Sequence, residues 1–377
     1  MKILLSLIAF LLISFIILTV AAHHQIAGWT LVGMFLTASV ACSRQRALKG
    51  YAFTVLIFAA ASAAMYYPNY FIRIGEFKLS SVIVPLMQII MFGMGTALSI
   101  GDFTRVVRMP KAVIAGVGCQ FLIMPFLALI IARVFQFPNE VAAGIILIGS
   151  CPGGLASNVM TYLARANLAL SVTLTAISTI VAPFATPFLM STLAGEYVEM
   201  NFWKMVVDIA KIVILPVGGG LLFNHFVQSK WRKLDDIMPL ISMGGIALII
   251  VVITAAGRDE LMAIGAWLIL AMAIHNGCGF LFGYFAARLL GMPEADRRTI
   301  AIEVGLQNAG LGSSLALAMG KLSTVGLASA VFAPLMNITG STLATWWRNR
   351  IPEGYPTEDT SFPLESKTVT DIETKKQ

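Results

Sequence analysis

Charge is what this chain has least of. Only 12% of its 377 residues are Asp, Glu, Lys or Arg, against 58% hydrophobic, and the mean hydropathy is +0.84. A soluble domain cannot hide that much apolar surface behind so little charge, so composition excludes a water-soluble globular fold and leaves an all-α polytopic membrane protein. Cysteine is scarce as well. Cys42, Cys119, Cys151 and Cys278 lie far apart and form no CxxC pair, which argues against a zinc module and against a disulfide framework. There are four histidines: His23, His24 and His225 sit at the ends of apolar runs, and His275, beside Asn276, lies inside one and reads as a satisfied structural residue. The net charge of +7 is scattered in short clusters between apolar runs, so it is loop charge and predicts no nucleic acid partner.

What is abundant is hydrophobic sequence in long runs. These fall at 3–22, 26–42, 50–66, 80–99, 112–135, 139–163, 167–194, 202–225, 237–256, 261–288, 298–319 and 323–346, and predict twelve spans. The first run also has the form of a cleaved signal peptide, but a second span follows at once, and a retained helix is the preferred reading. With Met1 on the inside, inner connections carry Arg44, Arg46, Lys49, Arg105, Arg108, Lys111, Arg165, Lys230, Arg232, Lys233, Arg288, Arg297, Arg298, Arg348 and Arg350. Outer ones carry fewer: Arg73, Lys78, Arg133, Arg258 and Lys321, with Lys204 near an outer helix end. The excess predicts that both termini are cytoplasmic; the membrane itself is expected to be a bacterial inner (plasma) membrane. The polar segment after Trp347 has no apolar period and is expected to be disordered.

The chain repeats itself. "ARVFQFP" at Ala132–Pro138 and "ARLLGMP" at Ala287–Pro293 share the spacing A-R-x-x-x-x-P at an offset of 155 residues. The same offset lays Pro152-Gly153-Gly154 over Gln307-Asn308-Ala309, and Gln120 over His275. The units are five spans each, and an odd number makes the second unit enter the membrane from the opposite side, which is the inverted repeat of secondary transporters. The expected organisation is 1–49, two extra spans; 50–195, the first repeat; 196–347, the second; and 348–377, a cytoplasmic tail.

Two polar interruptions carry the chemistry. Pro152 removes a helix donor and Gly153-Gly154 tolerate non-helical angles, so the sixth span should break at mid-membrane, where freed backbone groups must be buried or line a cavity. Ser157 and Asn158 follow the break, and Ser171 and Thr175 share a face of the next span. In the eleventh span, "IAIEVGLQNAGLGSS" places Glu303, Gln307 and Asn308 within six residues. An acidic side chain at that depth needs a partner: a distant base, of which Lys211 is the deep candidate, a proton of its own, or a bound cation. Oxygen donors without thiolate or imidazole favour an alkali ion over a transition metal.

"CPGGLASNVMTYLARANLALSV", "IEVGLQNAGLGSSLA" and "NITGSTLATWW" resemble the bile acid:sodium symporter family, over about Tyr51–Arg350. That resemblance implies ten core helices arranged as a panel and a core domain, with two crossed broken helices that hold two sodium ions as coupling ions and no other cofactor. It implies one sodium site from Ser157, Asn158, Ser171, Thr175 and Glu303. A second would comprise Gln120, Glu303, Gln307 and the main-chain carbonyls of Val304 and Leu306, with Glu303 bridging the two. Asn308, Asn337 and the backbone near Gly154 would face the substrate. Leu155 stands where many relatives have threonine, so a hydroxyl that could meet a substrate headgroup is missing.

The expected function is a sodium-coupled symporter that imports a small organic anion, bile-acid-like or pantothenate-like, by alternating access within the lipid bilayer, and not an enzyme. The rival readings are a proton-coupled or metalloid-anion transporter on the same scaffold and an intramembrane hydrolase built on Cys151.

Overall fold

The computed structural model describes residues 2–45, 48, 51–227, 233–350 and 352; Arg46, Lys49, Lys230, Arg232 and nearly all of the predicted tail lie outside them. The fold is all-α apart from one short hairpin, and each of the twelve apolar runs falls on a helix or on a helix pair in line. The helices are α1 (Lys2–Val20), α2 (His24–Arg44), α3 (Ala52–Tyr66), the single turn α4 (Asn69–Ile72), α5 (Ile83–Ala97), α6 (Ile100–Arg108), α7 (Pro110–Phe135), α8 (Asn139–Gly149) and α9 (Ala156–Leu163). They continue with α10 (Leu168–Leu193), α11 (Phe202–Ile209), α12 (Leu215–Val227), α13 (Lys233–Ala256), α14 (Arg258–Leu289), α15 (Glu294–Gly305), α16 (Ala309–Ala318) and α17 (Gly326–Arg348). A π-helical stretch, Ala210–Ile214, joins α11 to α12 ahead of Pro216. Eight helical stretches among the described residues are long and apolar enough to cross a membrane.

Two connecting stretches outside the apolar runs hold regular structure. The segment after α4 forms an antiparallel pair, β1 (Arg73–Ile74) with β2 (Phe77–Lys78), turned by Gly75 at φ 58°. The segment before α7 forms α6, opened by a capping box in which Asp102 accepts from the backbone of Ser99 at 2.7 Å. Both are too short and too polar to register as apolar runs.

The repeat is visible in backbone geometry. The ends of α8 and α15, displaced by 155 positions, coincide to within one residue, and α9, α10, α16 and α17 finish in the same register. The left-handed residues coincide as well: Gln136 (φ 52°) with Gly291 (φ 71°), and Arg165 (φ 52°) with Gly320 (φ 72°). The first of these pairs explains the A-R-x-x-x-x-P motif. A left-handed residue ends α7 or α14, and the proline two positions later immediately precedes the next helix, where its fixed φ suits the entry.

Helices α3, α5, α12 and α13 pack together as a panel, α7–α10 with α14–α17 form the core, and α11 leads from α10 into the panel through the π-helical stretch. The α1–α2 pair is appended to the panel: α1 lies on α2 and α2 on α3, and no residue of Ile3–Val20 is buried. Within the core, small residues let helices approach. A Cβ on Gly283 would come within 3.1 Å of Ala301 Cα, so α14 lies directly on α15. Each broken span is tied at its outset to the loop that follows the other: Glu140 of α8 to Lys321 and Thr324, and Asp296 and Thr299 of α15 to Asn167. The two repeats are thus locked crosswise.

Candidate functional site

Both predicted breaks are present and they meet. Residues 150–155 interrupt the sixth span and 306–308 the eleventh, and the two pass each other as an antiparallel bridge between Gly153 and Gln307. Gly154 N–H donates to Leu306 O at 3.3 Å and Asn308 N–H donates to Pro152 O at 2.9 Å. The bridge satisfies backbone groups that the breaks free and that lipid could not satisfy. Helices α9 and α16 start from it, the second capped by Asn308 Oδ1, which accepts from Leu311 N–H at 3.0 Å.

Glu303, 1% exposed, lies two residues before the end of α15 and turns its carboxylate toward α10. Thr175 donates to Oε1 and Ser171 to Oε2, the latter at 3.1 Å. Ser171 is also 2.9 Å from Asn158 Oδ1 and receives a bond from Thr161 at 3.2 Å. Ser157 lies 3.3 Å from Thr175 and 2.8 Å from Gly154 O. All five residues expected to form the first site are therefore in one cluster. Its hydroxyl protons are fewer than its acceptors: Ser171 has one proton for two acceptors, and Thr175 divides its own between Glu303 and the carbonyl of Ser171. Among the described residues Glu303 has no ion-pair partner. Lys211, the basic candidate, is exposed and its carbonyl accepts from Gln88, so the distant-base reading is corrected. The π-helical stretch on which it sits packs mainly on α5, α11 and α12.

The second expected group also assembles. Gln120 Nε2 donates to Cys151 O at 3.0 Å and to Gln307 Oε1 at 2.8 Å, and Gln307 Nε2 donates to Val304 O at 2.8 Å. Among the described residues Gln120 Oε1 is buried without a hydrogen-bond partner. The side-chain bonds of Glu303 run to Thr175 and Ser171 of α10 and to Ser157 of α9, and none links it to Gln120 or Gln307.

Of the residues expected to face a substrate, Asn308 has its Nδ2 4.0 Å from Met91 Sδ on panel helix α5, and Gly310 lies against Met87. Leu155 opens α9, half-buried, and Asn337 is half-buried on α17, donating to Ala333 O at 2.8 Å. His275, read as a satisfied residue, is satisfied on one side only: Nε2 is 2.9 Å from Met124 O, while among the described residues its buried Nδ1 has no hydrogen-bond partner. Cys151 is fully buried, and among the described residues no histidine is hydrogen-bonded to it.

The sequence reading passed over Thr161, Met87 and Met91. Thr161 carries a signal, since it follows Ser157 by one helical turn; the methionines carry none beyond hydrophobicity.

Two crossed, broken helices at the centre of inverted repeats, around a buried carboxylate ringed by oxygen, define the fold of a secondary transporter. The Sodium Bile acid symporter family matches residues 84–264. An uncharacterized sodium-dependent transporter, YocS of Bacillus subtilis (strain 168), is 40% identical over 303 residues, 80% of this chain and 92% of its own length. The probable sodium/metabolite cotransporter BASS1 of Arabidopsis thaliana is 36% identical over 267 residues, 71% of this chain and 67% of its own. Its counterpart in Oryza sativa subsp. japonica is 34% identical over 305 residues, 80% and 73%. The chain belongs to the sodium bile acid symporter family, a multi-pass membrane protein whose relatives are transporters rather than enzymes.

Proposed function

We propose that this protein is a sodium-coupled symporter that imports a small organic anion across a plasma membrane, with both termini cytoplasmic and the core moving against the panel to alternate access. The observation that carries this reading is the buried carboxylate of Glu303, without a basic partner among the described residues and surrounded by the oxygens of Ser157, Asn158, Ser171 and Thr175. A proton alone does not call for that many neutral oxygens; a hard monovalent cation does. Support also comes from the relatives named as sodium-dependent transporters and sodium/metabolite cotransporters.

In this reading the oxygen cluster holds one sodium ion, and Gln120, Gln307 and the carbonyls of Val304 and Leu306 hold a second, with Glu303 serving both. Ions at these positions neutralise Glu303 and draw α15 toward α10. The organic anion meets the amino-terminal ends of α9 and α16, whose dipoles favour negative charge, beside Gly154, Leu155, Asn308 and Asn337. The thioethers of Met87 and Met91 give the panel side an adaptable apolar wall. Residues 50–195 and 196–347 act as the two repeats, 1–49 as an accessory pair of spans and 348–377 as a tail.

Two sodium ions entering with one monovalent anion carry a net positive charge inward. Each charge is worth roughly 2.3 kcal/mol per 100 mV, so a 100 mV inside-negative potential is expected to raise accumulation in proteoliposomes about fiftyfold at equilibrium. The anion used is the one from a carboxylate and sulfonate panel that most stabilises the protein in sodium. Uptake that persists in choline and follows an imposed pH gradient contradicts the reading and favours proton coupling.

Leu155 shapes the substrate preference. Its isobutyl group occupies the opening of α9, so Leu155→Thr is expected to shift selectivity across the same panel toward anions with a hydrogen-bonding headgroup, by about tenfold for one charge-assisted bond. An unchanged ranking removes Leu155 from the substrate site.

A further inference from the structure

We propose that Asn276 and Thr339 are positioning residues for the sodium site: a hydrogen-bond relay from α17 through α14 that orients the peptide unit between the carbonyls of Val304 and Leu306. This rests on the sodium reading above and adds to it two residues that ligate nothing.

Gly305 ends α15, and its carbonyl has lost the partner that a continuous helix would supply. At mid-membrane an unsatisfied carbonyl is costly, and Asn276 Nδ2 donates to it at 2.7 Å. Asn276 is fully buried, so no water competes for that bond. Leu306 follows in extended conformation, φ −108° and ψ 105°. Successive carbonyls of extended backbone point to opposite sides, so directing Gly305 O toward α14 directs Leu306 O away from it, toward the other break, where it accepts from Gly154. The carbonyl that the site needs is aimed by the one beside it.

The amide of Asn276 has two ends, and only one can serve. If it turned over, Oδ1 would face Gly305 O and two acceptors would oppose each other. Thr339 prevents this by donating its hydroxyl to Asn276 Oδ1. That proton is diverted from the carbonyl of Leu335, which lies 2.9 Å away on the threonine's own helix. Close packing keeps the relay short: a Cβ on Gly279 would come within 3.2 Å of Gly305 Cα, and one on Gly305 would meet the ring of Phe280. The first repeat answers the same need in another way. Ser150 O, which the 155-residue offset lays over Gly305 O, accepts directly from Thr186 of α10 at 2.7 Å, and Cys151 O accepts from Gln120.

The test is the sodium dependence of thermal stability of the purified full-length protein, titrated with NaCl at constant ionic strength against choline chloride. Thr339→Val keeps the shape and removes the hydroxyl; its half-saturating sodium concentration is expected to rise about three- to tenfold, the worth of one neutral hydrogen bond. Thr339→Ser is expected to restore the wild-type value, and Asn276→Leu to raise it further. Loss of packing alone lowers the melting temperature in choline without moving the sodium midpoint. A shift below threefold in Thr339→Val, or failure of Thr339→Ser to restore the midpoint, overturns the relay. Should Thr339→Val not accumulate, Thr339→Ala deletes the same hydroxyl in a smaller side chain and is held to the same threshold. If the wild type shows no sodium-dependent stabilisation and Glu303→Gln matches it, the sodium reading itself fails and the relay with it. A sodium response lost in Glu303→Gln but unmoved by the Thr339 variants sinks the relay alone.

Discussion

Glu303→Gln is expected to cross over with the wild type in a melting experiment. In choline, the variant should be at least as stable, because it exchanges a buried carboxylate that has no basic partner among the described residues for a neutral amide of the same shape. In sodium, the wild type should pull ahead. A ligand that binds only the folded state adds about 2.7 kcal/mol of stability at a hundred times its dissociation constant, and the variant forgoes most of that. Sodium-driven uptake should fall to background. The two halves of the result have one cause, since the charge that attracts the ion is the charge that burial penalises without it. A variant less stable than the wild type in choline, or one that retains the full sodium response, contradicts the assignment. A partial sodium response would show that Glu303 serves one of the two ions and does not bridge them.

Gly153→Ala should be nearly as damaging, although it removes no ligand. A Cβ built on Gly153 lies 2.5 Å from Glu303 Oε1, closer than Cβ atoms come to other atoms, and 3.1 Å from its Cδ. The carboxylate must then move away from Thr175, or the strand-like bridge between Gly153 and Gln307 must open. The first outcome separates the oxygens that the proposed ion needs together, and it is the one expected, since the carboxylate is the side-chain end that the new Cβ meets. The apparent sodium affinity is expected to fall at least about tenfold, and overpacking to cost about 1–3 kcal/mol in choline. The reason for glycine here is space rather than a left-handed backbone, since the residues with positive φ lie elsewhere. Gly154 is the internal control. A Cβ there would come 3.0 Å from Gln307 O without reaching Glu303, so Gly154→Ala should disturb the bridge while sparing the carboxylate. Equal sodium midpoints for the two variants would show that contact with Glu303 is not what matters at Gly153.

Much of this protein was legible along the chain. Hydropathy marked twelve spans because each must present about 20 apolar residues to lipid wherever it packs, and the structure places a helix or helix pair on every run. The interruption at Pro152-Gly153-Gly154 was readable from its proline and glycines, the one at Gln307-Asn308 through the polar cluster and the 155-residue offset, and the repeat through a proline spacing that records two helix ends with the same left-handed turn. What the chain could not determine alone is which face each polar residue presents and to whom. Lys211 and Glu303 are both charged residues in apolar runs, yet one turns outward from the panel and the other inward on the core. Thr175 and Glu303 are 128 positions apart, Gln120 and Gln307 are 187 apart, and Asn276 reaches Gly305 across a helix pair whose closeness depends on glycines at 279 and 283. Such contacts follow from the crossing of two broken helices, a geometry set by packing across the whole core. Local sequence decided where the chain must break; tertiary structure decided that the breaks meet, and so which oxygens surround the one carboxylate between them.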